Sequence, residues 1–322
     1  MTNDHPILLA MALSIGHVVL LLAVSPLVVA VIRKVKARFQ CRRGAGLFQP
    51  YADLMKLFRK EPVVSTTTSW IFTATPYIVF ASTLTAGLLV PVFASHMPLN
   101  FAGNIIALVY LFALGTFFLI LAGLDAGSAF GGMGSSREAI VASLTEPAMI
   151  MSIFAIALTT GSTNLSTIVH KTALLEGVAT DPSPHLMALA ALFIVALAET
   201  GRVPVDNPAT HLELTMIHEA MVLEYSGRHL ALIEWASAMK LLVFLTLIAN
   251  VFAPWGIATV LTPMSLSIGL AAYLGKVALL AVLIGTIECM FAKLRLFRVT
   301  DLLGVAFILA LLGLLFFYIL RG

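Results

Sequence analysis

Charge is scarce in this sequence of 322 residues: 11% are Asp, Glu, Lys or Arg, while 60% are hydrophobic. Soluble domains carry about a quarter charged residues, so this chain has too few to cover a water-exposed surface of its own size. The same deficit excludes nucleic-acid-binding proteins and disordered tails. The composition therefore indicates a membrane protein whose spanning segments are helices.

Cysteine is also scarce, with Cys41 and Cys289 alone and no CxxC pair, which excludes a disulfide scaffold and iron–sulfur ligation. Glycine-rich nucleotide loops, nucleophile elbows and HExxH helices are absent as well. On one helix, His211 and His218 would stand two turns, roughly 10 Å, apart, which is too far for a shared metal ion. We therefore expect no catalytic residue, no metal and no cofactor in this chain.

Eight apolar runs are long enough, or nearly so, to cross a membrane as helices. They are predicted near residues 7–32, 70–92, 101–123, 138–160, 185–201, 230–254, 264–288 and 300–320. Proline and glycine mark the breaks between them, including a glycine-rich run at 131–134. The sequence therefore predicts an all-α polytopic membrane protein with about eight transmembrane helices, forming a single membrane domain over residues 1–322.

Lysine and arginine are unevenly shared between the connections. Fifteen lie near 33–69, 124–137, 202–229 and 289–299, whereas the other side has two, Lys171 and Arg321. Because basic loops stay in the cytoplasm, the four segments are predicted to be cytoplasmic loops, with both termini on the outer, periplasmic side. The chain is accordingly expected in the cytoplasmic membrane of a bacterium or an archaeon.

Ionisable side chains inside spanning helices are costly and usually face the bundle interior or water. Glu146, Lys240 and Lys276 lie near the middle of predicted spans, and Glu199 lies at the end of another. One interpretation is a single buried ion pair between Glu146 and a lysine that only fixes helix packing. The other is a proton relay lined by water, which accounts better for two lysines and several carboxylates.

The segment from Glu199 to Gly227 is unusually acidic for a cytoplasmic loop, and residues 209–223 within it are predicted to form a short helix. A solvated acidic face is one interpretation, and a carboxylate chain leading into the membrane is the other. Taken with the intramembrane charges, the candidate proton-coupling residues are Glu146, Glu199, Asp206, Glu213, Glu219, Glu224, Lys240 and Lys276.

The first predicted cytoplasmic loop is strongly basic. Within it, residues 50–59 place Tyr51, Leu54, Met55 and Phe58 on one face, which predicts an amphipathic helix at the membrane surface. Lipid headgroups are one candidate partner for this loop, and a docked protein subunit is another. The candidate counter-charge and docking residues are Arg42, Arg43, Arg137 and Arg202.

Three segments in order carry a resemblance to a known family: RRGAGLFQPYADLMKLFRKE at 42–61, GSSREAIVASLTEP at 134–147, and ETGRVPVD at 199–206 with EYSG at 224–227. Together they resemble the complex I subunit 1 family over essentially the whole chain. Val205 stands where respiratory members usually have phenylalanine, and the interval before EYSG is longer. These departures resemble the hydrogenase branch, which holds membrane subunits of group 4 nickel–iron hydrogenases of the hydrogenase-4 component C and formate hydrogenlyase subunit 4 type.

The resemblance implies a membrane subunit that is not an enzyme by itself. It would anchor an arm of hydrogenase large and small subunits and iron–sulfur proteins beside antiporter-like membrane subunits. The nickel–iron centre and the iron–sulfur clusters are expected in those partners, and coupling of electron transfer to proton translocation is implied. Two alternatives stay open: the quinone-chamber subunit of a respiratory NADH:quinone oxidoreductase, and a free-standing ion transporter.

Overall fold

The computed structural model describes residues 4–93, 103–173, 183–207, 216–258 and 262–321. In these ranges the chain is built of helices and forms no strand. The helices are α1 (Asp4–Phe39), α2 (Gln49–Phe58), α3 (Trp70–Leu89), α4 (Ile105–Asp125), α5 (Ala129–Thr160), α6 (Leu165–Ala173), α7 (Ser183–Glu199), α8 (His218–Val222), α9 (Gly227–Leu247), α10 (Pro263–Met290) and α11 (Leu296–Arg321). A π-helical turn, Ile248–Phe252, continues α9.

Seven helices in the described part of the chain are long and apolar enough to cross a membrane: α1, α3, α4, α5, α9 with its π-helical turn, α10 and α11. The prediction of an all-α polytopic membrane protein is therefore confirmed. The run predicted near 185–201 is α7, an apolar helix of 17 residues that is shorter than the other seven. The side of the membrane on which the termini lie stays a prediction.

The centre of the bundle is α9, because 72% of its spanning window is buried, against 22% for α11. It packs against α1, α3 and the short α2. By contrast, α10 and α11 present much of their apolar surface outwards, and α11 packs mainly along α5 and α7. A charge placed on α9 is therefore surrounded by protein, whereas the outer helices expose much of their apolar surface.

Helix α5 begins at Ala129, earlier than the predicted start at 138, so the glycine-rich run predicted as a break is helical. The Ser128 hydroxyl caps the helix by accepting the N–H of Gly131 over 3.1 Å. The glycines serve packing instead: a Cβ at Gly134 would lie 2.9 Å from the Cβ of Ala220. The small residues therefore let α8 lie directly on the first turns of α5.

The amphipathic helix predicted at 50–59 is present as α2. Leu54 is buried, while Met55 and Phe58 stay 57% and 39% exposed. An exposed apolar edge next to basic residues suits the boundary between lipid headgroups and water. The predicted helix is therefore confirmed, and its place at the membrane surface stays a prediction.

Near Pro26, backbone carbonyls of α1 accept hydrogen bonds from side chains of α2 and α9. Pro26 lacks the N–H that would donate to the carbonyl of Leu22, four residues earlier. The indole Nε1 of Trp235 in α9 donates to that carbonyl over 3.1 Å. The Tyr51 hydroxyl of α2 donates to the carbonyl of Ala23. Side chains from both helices therefore satisfy backbone oxygens one turn before the proline.

Trp235→Phe is expected to lower the free energy of unfolding by about 1 kcal/mol, because the Leu22 carbonyl loses a donor while the ring still fills its place. The thermal unfolding midpoint of the purified protein in detergent should fall by a few degrees. Trp70→Phe is the matched control, since Trp70 is 68% exposed. Equal midpoints for the two variants would contradict the role of the indole N–H.

Candidate functional site

Two buried charges at the centre of the bundle form an ion pair. Glu199, the last residue of α7, lies with its Oε2 2.7 Å from the Nζ of Lys240 in the middle of α9, and the side chains are 5% and 14% exposed. The Thr145 hydroxyl of α5 donates to Glu199 Oε1, and Lys240 Nζ donates to Thr116 Oγ1 of α4 over 3.4 Å. Four helices therefore meet at a pair in which each charge depends on the other.

A second buried carboxylate lies beside the pair. Glu138 of α5 is 7% exposed and lines a small cavity of about 30 Å³ together with Glu199 and Lys240. Glu138 and Thr145 are seven residues apart and so share one face of α5. The predicted candidate Glu146 occupies the next position, is half-buried, and forms no ion pair within the described residues. Sequence analysis missed Glu138, although its spacing from Thr145 was the available signal.

Asp206, predicted as a proton-coupling residue, is buried and contacts a lysine and three backbone N–H groups. Its Oδ1 lies 2.6 Å from the Nζ of Lys293 and accepts the N–H of Asn207 over 2.8 Å. Its Oδ2 accepts the backbone N–H groups of Ile217 and His218 over 3.1 and 3.2 Å. Asp206 thereby sets where α8 begins. Within the described residues the short helix predicted at 209–223 is limited to α8, and residues 208–215 lie outside them.

Arg202, predicted as a counter-charge for the acidic segment, instead faces a carboxylate that sequence analysis did not single out. Its Nη1 lies 3.1 Å from Oε1 of Glu288, near the end of α10. Lys36, in the last turn of α1, places its Nζ 2.6 Å from the other oxygen of the same carboxylate. The Glu288 side chain is fully buried, so one carboxylate joins α1, α10 and the segment after α7.

Lys276 lies apart from this cluster. Its Nζ donates to the side-chain oxygen of Asn250 over 3.0 Å and to the carbonyl of Ala253 over 2.9 Å. The amide of Asn250 in turn donates to the carbonyls of Pro91 and Val92, which follow α3. Lys276 therefore belongs to a network that ties α10, the π-helical turn and the end of α3 together.

The other predicted charges lie at or near the surface. In the described part of the chain Arg42, Arg43, Glu219 and Glu224 are exposed. Arg137 is half-buried and its Nη1 donates to the carbonyl of Met216 over 3.0 Å, which holds the segment before α8. Glu213 and His211 lie outside the described residues. No three His, Cys, Asp or Glu side chains in the described ranges are grouped closely enough to hold a metal ion.

The EYSG segment clamps the start of α9 to the first loop. The ring of Tyr225 stacks on Phe72 at 4.0 Å between centroids, and its hydroxyl donates to the Phe72 carbonyl over 2.8 Å. Burial raises the pKa of Tyr225 above its usual value, so this hydroxyl stays a donor. Gly227 adopts φ +54°, and a Cβ there would lie 2.5 Å from the carbonyl oxygen of Glu61. The motif thus has a positional role.

A cavity of about 530 Å³ opens between α1, α2, the segment after α7, α8 and α9. Its charged lining residues are Arg33, Lys36, Asp53, Lys56, Lys60, Arg202, Asp206, Glu219 and Glu234. Because its lining carries both cations and carboxylates, the cavity suits water and small ions. The first predicted cytoplasmic loop and the acidic segment after Glu199 therefore meet around this cavity. The small cavity beside Glu199 and Lys240 lies next to it.

A known protein family and individual known proteins match this chain over most of its length. The NADH dehydrogenase family matches residues 11–319. Hydrogenase-4 component C of Escherichia coli (strain K12) is 34% identical, and the match covers 94% of each chain. Formate hydrogenlyase subunit 4 of the same organism is 34% identical over 86% of this chain and 88% of its own. An NADH-quinone oxidoreductase subunit of Rhodospirillum rubrum is 33% identical over 62% of this chain and 60% of its own.

A solved structure shares the fold. A chain of the membrane-bound sulfane sulfur reductase, an archaeal respiratory membrane complex, superimposes with a TM-score of 0.80 at 21% identity. The superposition covers 95% of this chain and 99% of that one. The sequence match also extends over more of this chain for hydrogenase-4 component C and formate hydrogenlyase subunit 4 than for the Rhodospirillum rubrum protein.

Proposed function

Because the chain belongs to the NADH dehydrogenase family of complex I subunit 1-like proteins, we propose that it is the membrane subunit of a group 4 nickel–iron hydrogenase complex. It is a multi-pass membrane protein and a non-catalytic subunit of an oxidoreductase complex. In this role it anchors the hydrogenase arm of a formate hydrogenlyase-type complex and couples that arm's electron transfer to proton translocation.

The observation that carries the coupling role is the buried Glu199–Lys240 pair beside a charged cavity. Inside a bundle the effective dielectric constant is low, so a charge that changes in the cavity acts strongly on this pair. Loosening of the pair would free Glu199 to take up a proton, and re-formation would expel it. Glu138 offers a second buried carboxylate along the same path.

The proposed partners follow from the two kinds of surface. The exposed arginines Arg42 and Arg43 and the exposed acids Glu219 and Glu224 offer charges of both signs for docking hydrogenase large and small subunits and iron–sulfur proteins. The outward apolar faces of α10 and α11 suit lipid or antiporter-like membrane subunits. The nickel–iron centre and the iron–sulfur clusters would lie in the partner subunits.

A quinone-chamber subunit is the second candidate, and the observation that favours it is the cavity itself. Its volume of about 530 Å³ would admit a quinone ring. Its lining, however, carries charges of both signs, whereas ligand pockets for apolar molecules are mostly hydrophobic. The identity of 34% to hydrogenase-4 component C and to formate hydrogenlyase subunit 4, over 94% and 86% of this chain, also favours the hydrogenase complex.

The test is to purify the tagged chain in mild detergent from its native cells and to analyse the complex that comes with it. We expect nickel and iron at fixed stoichiometry to the tagged chain, together with hydrogen evolution from a reduced dye. The matched control is the same preparation from cells that carry the untagged chain. A complex without nickel that contains flavin and quinone and oxidises NADH would overturn the proposal, and so would a chain that purifies alone and transports ions in vesicles.

A further inference from the structure

His218 lies where the charged cavity meets the buried carboxylates. It lines the cavity of about 530 Å³ and also both smaller cavities next to it, of about 30 and 10 Å³. Glu138 lines both of these smaller cavities, and Glu199 and Lys240 line the larger of the two. No other side chain in the described part of the protein lines all three spaces.

The position of His218 is fixed by its backbone. Its N–H donates to Asp206 Oδ2, and it is the first residue of α8. Gly201 packs against it, since a Cβ added to that glycine would lie 3.6 Å from the Cβ of His218. The backbone of His218 is therefore held by two neighbouring segments.

Charged groups from four elements surround this imidazole: Lys240 from α9, Glu199 from α7, Glu138 from α5 and Asp206 from the segment after α7. Burial, followed by the Lys240 ammonium, lowers the pKa of His218 to about 4, while Asp206 and Glu199 oppose that shift. The ring is therefore neutral near pH 7. A neutral imidazole has one nitrogen that accepts and one that donates, which is what a two-sided proton relay requires.

We propose that His218 is the proton-transfer residue between the charged cavity and the buried Glu199–Lys240 pair. A protonated water in the cavity gives its proton to the unprotonated ring nitrogen and leaves as neutral water, while the proton on the other nitrogen passes to a carboxylate oxygen of Glu138 or Glu199. One N–H bond forms and one breaks, so the ring stays neutral overall and returns by rotation. This inference rests on the proposed coupling function.

Three other side chains that line the charged cavity and one of the smaller cavities are weaker candidates for the connection. Ser237 and Ile233 also line both the charged cavity and the small cavity beside Lys240. The Ile233 side chain has no proton to pass, and the Ser237 hydroxyl would need a continuous chain of water on each side. Asp206 lines the charged cavity and the smallest one, but both its oxygens already accept from lysine or backbone N–H groups. Ser237→Ala therefore tests the hydroxyl route separately.

The experiment uses the whole complex reconstituted in vesicles, with hydrogen evolution and internal pH measured together. His218→Gln and His218→Asn each place an amide where one ring nitrogen was, so they preserve polar contacts but cannot relay a proton. We expect the number of protons translocated per hydrogen formed to fall about tenfold or more in both variants. In Ser237→Ala this ratio should stay close to that of the unsubstituted complex. Added imidazole, which the cavity of about 530 Å³ admits, should restore translocation.

His185→Gln is the matched control, because His185 is a buried histidine that lines none of these three cavities. Nickel content of each preparation reports assembly, and at least one amide variant is expected to assemble. Unchanged translocation in an assembled His218 variant would overturn the relay, as would a loss that imidazole fails to restore. If the unsubstituted complex evolves hydrogen without moving protons, the proposed coupling function itself fails. That result differs from failure of the relay, which is seen only in the His218 variants.

Discussion

Replacing Lys240 with methionine is expected to lower the free energy of unfolding by about 3–5 kcal/mol and to abolish proton translocation. Methionine fills a similar volume on α9, so packing changes little. Glu199, however, would stay 5% exposed with its cation gone and one remaining donor, Thr145. A buried carboxylate without a counter-charge is costly, so the thermal midpoint of the complex should fall and translocation should stop.

The double variant Lys240→Met with Glu199→Gln separates the two effects. A neutral amide still accepts from Thr145 and no longer needs a cation, so most of the lost stability should return. Translocation should not return, because neither residue can then change its charge. Lys171→Met is the matched control, since Lys171 Nζ donates to the carbonyl of Thr160 over 2.7 Å and lies away from the pair. Normal translocation by the double variant would exclude the pair from coupling.

The membrane helices were predictable because lipid allows few alternatives. In the membrane, a helix satisfies every backbone polar group within its own segment. A long apolar run such as the one that forms α4 is therefore expected to be a helix. Boundaries were less predictable. The early start of α5 depends on Ser128 as a cap and on α8 packing against Gly134, and neither is visible in hydropathy.

The sequence pointed to both residues of the buried ion pair but not to their contact. Glu199 and Lys240 were singled out separately, because ionisable groups in apolar runs are expensive. Their contact could not be derived, since 41 positions of chain separate them and only the tertiary packing of α7 on α9 joins them. On α5 a single position decides the outcome: Thr145 faces Glu199, whereas Glu146 points about 100° away.

Acidic character alone does not tell which groups Asp206 contacts in the segment after α7. Asp206 looked like a link in a proton path, yet its oxygens hold Lys293 and the backbone before α8. Sequence analysis overlooked Glu288, since a single carboxylate at the end of an apolar run is common. Its importance arises from α1 and the segment after α7, which bring a lysine and an arginine to the same two oxygens.

Glu288→Gln is the second variant with a large expected effect. Lys36 and Arg202 both contact this carboxylate, at 2.6 and 3.1 Å, and it is fully buried. An amide can accept from one of them but cannot neutralise two cations, so the cations repel each other inside the wall of the charged cavity. We expect a loss of about 3 kcal/mol or more in the free energy of unfolding, measured as a lower thermal midpoint of the complex.

Salt distinguishes this repulsion from a simple packing defect. The two cationic side chains are 18% and 12% exposed, so counter-ions reach them from the cavity. Added salt should therefore raise the thermal midpoint of Glu288→Gln towards that of the unsubstituted complex, whereas a defect caused by poor packing would not respond to salt.

Glu234→Gln is the matched control, because Glu234 is an exposed acid that lines the same cavity. This substitution should change the free energy of unfolding by less than about 0.5 kcal/mol. Because Glu288 joins α1 and α10 to the segment that leads to Asp206, a salt-responsive loss would show that this carboxylate holds the cavity wall in place for the coupling residues behind it.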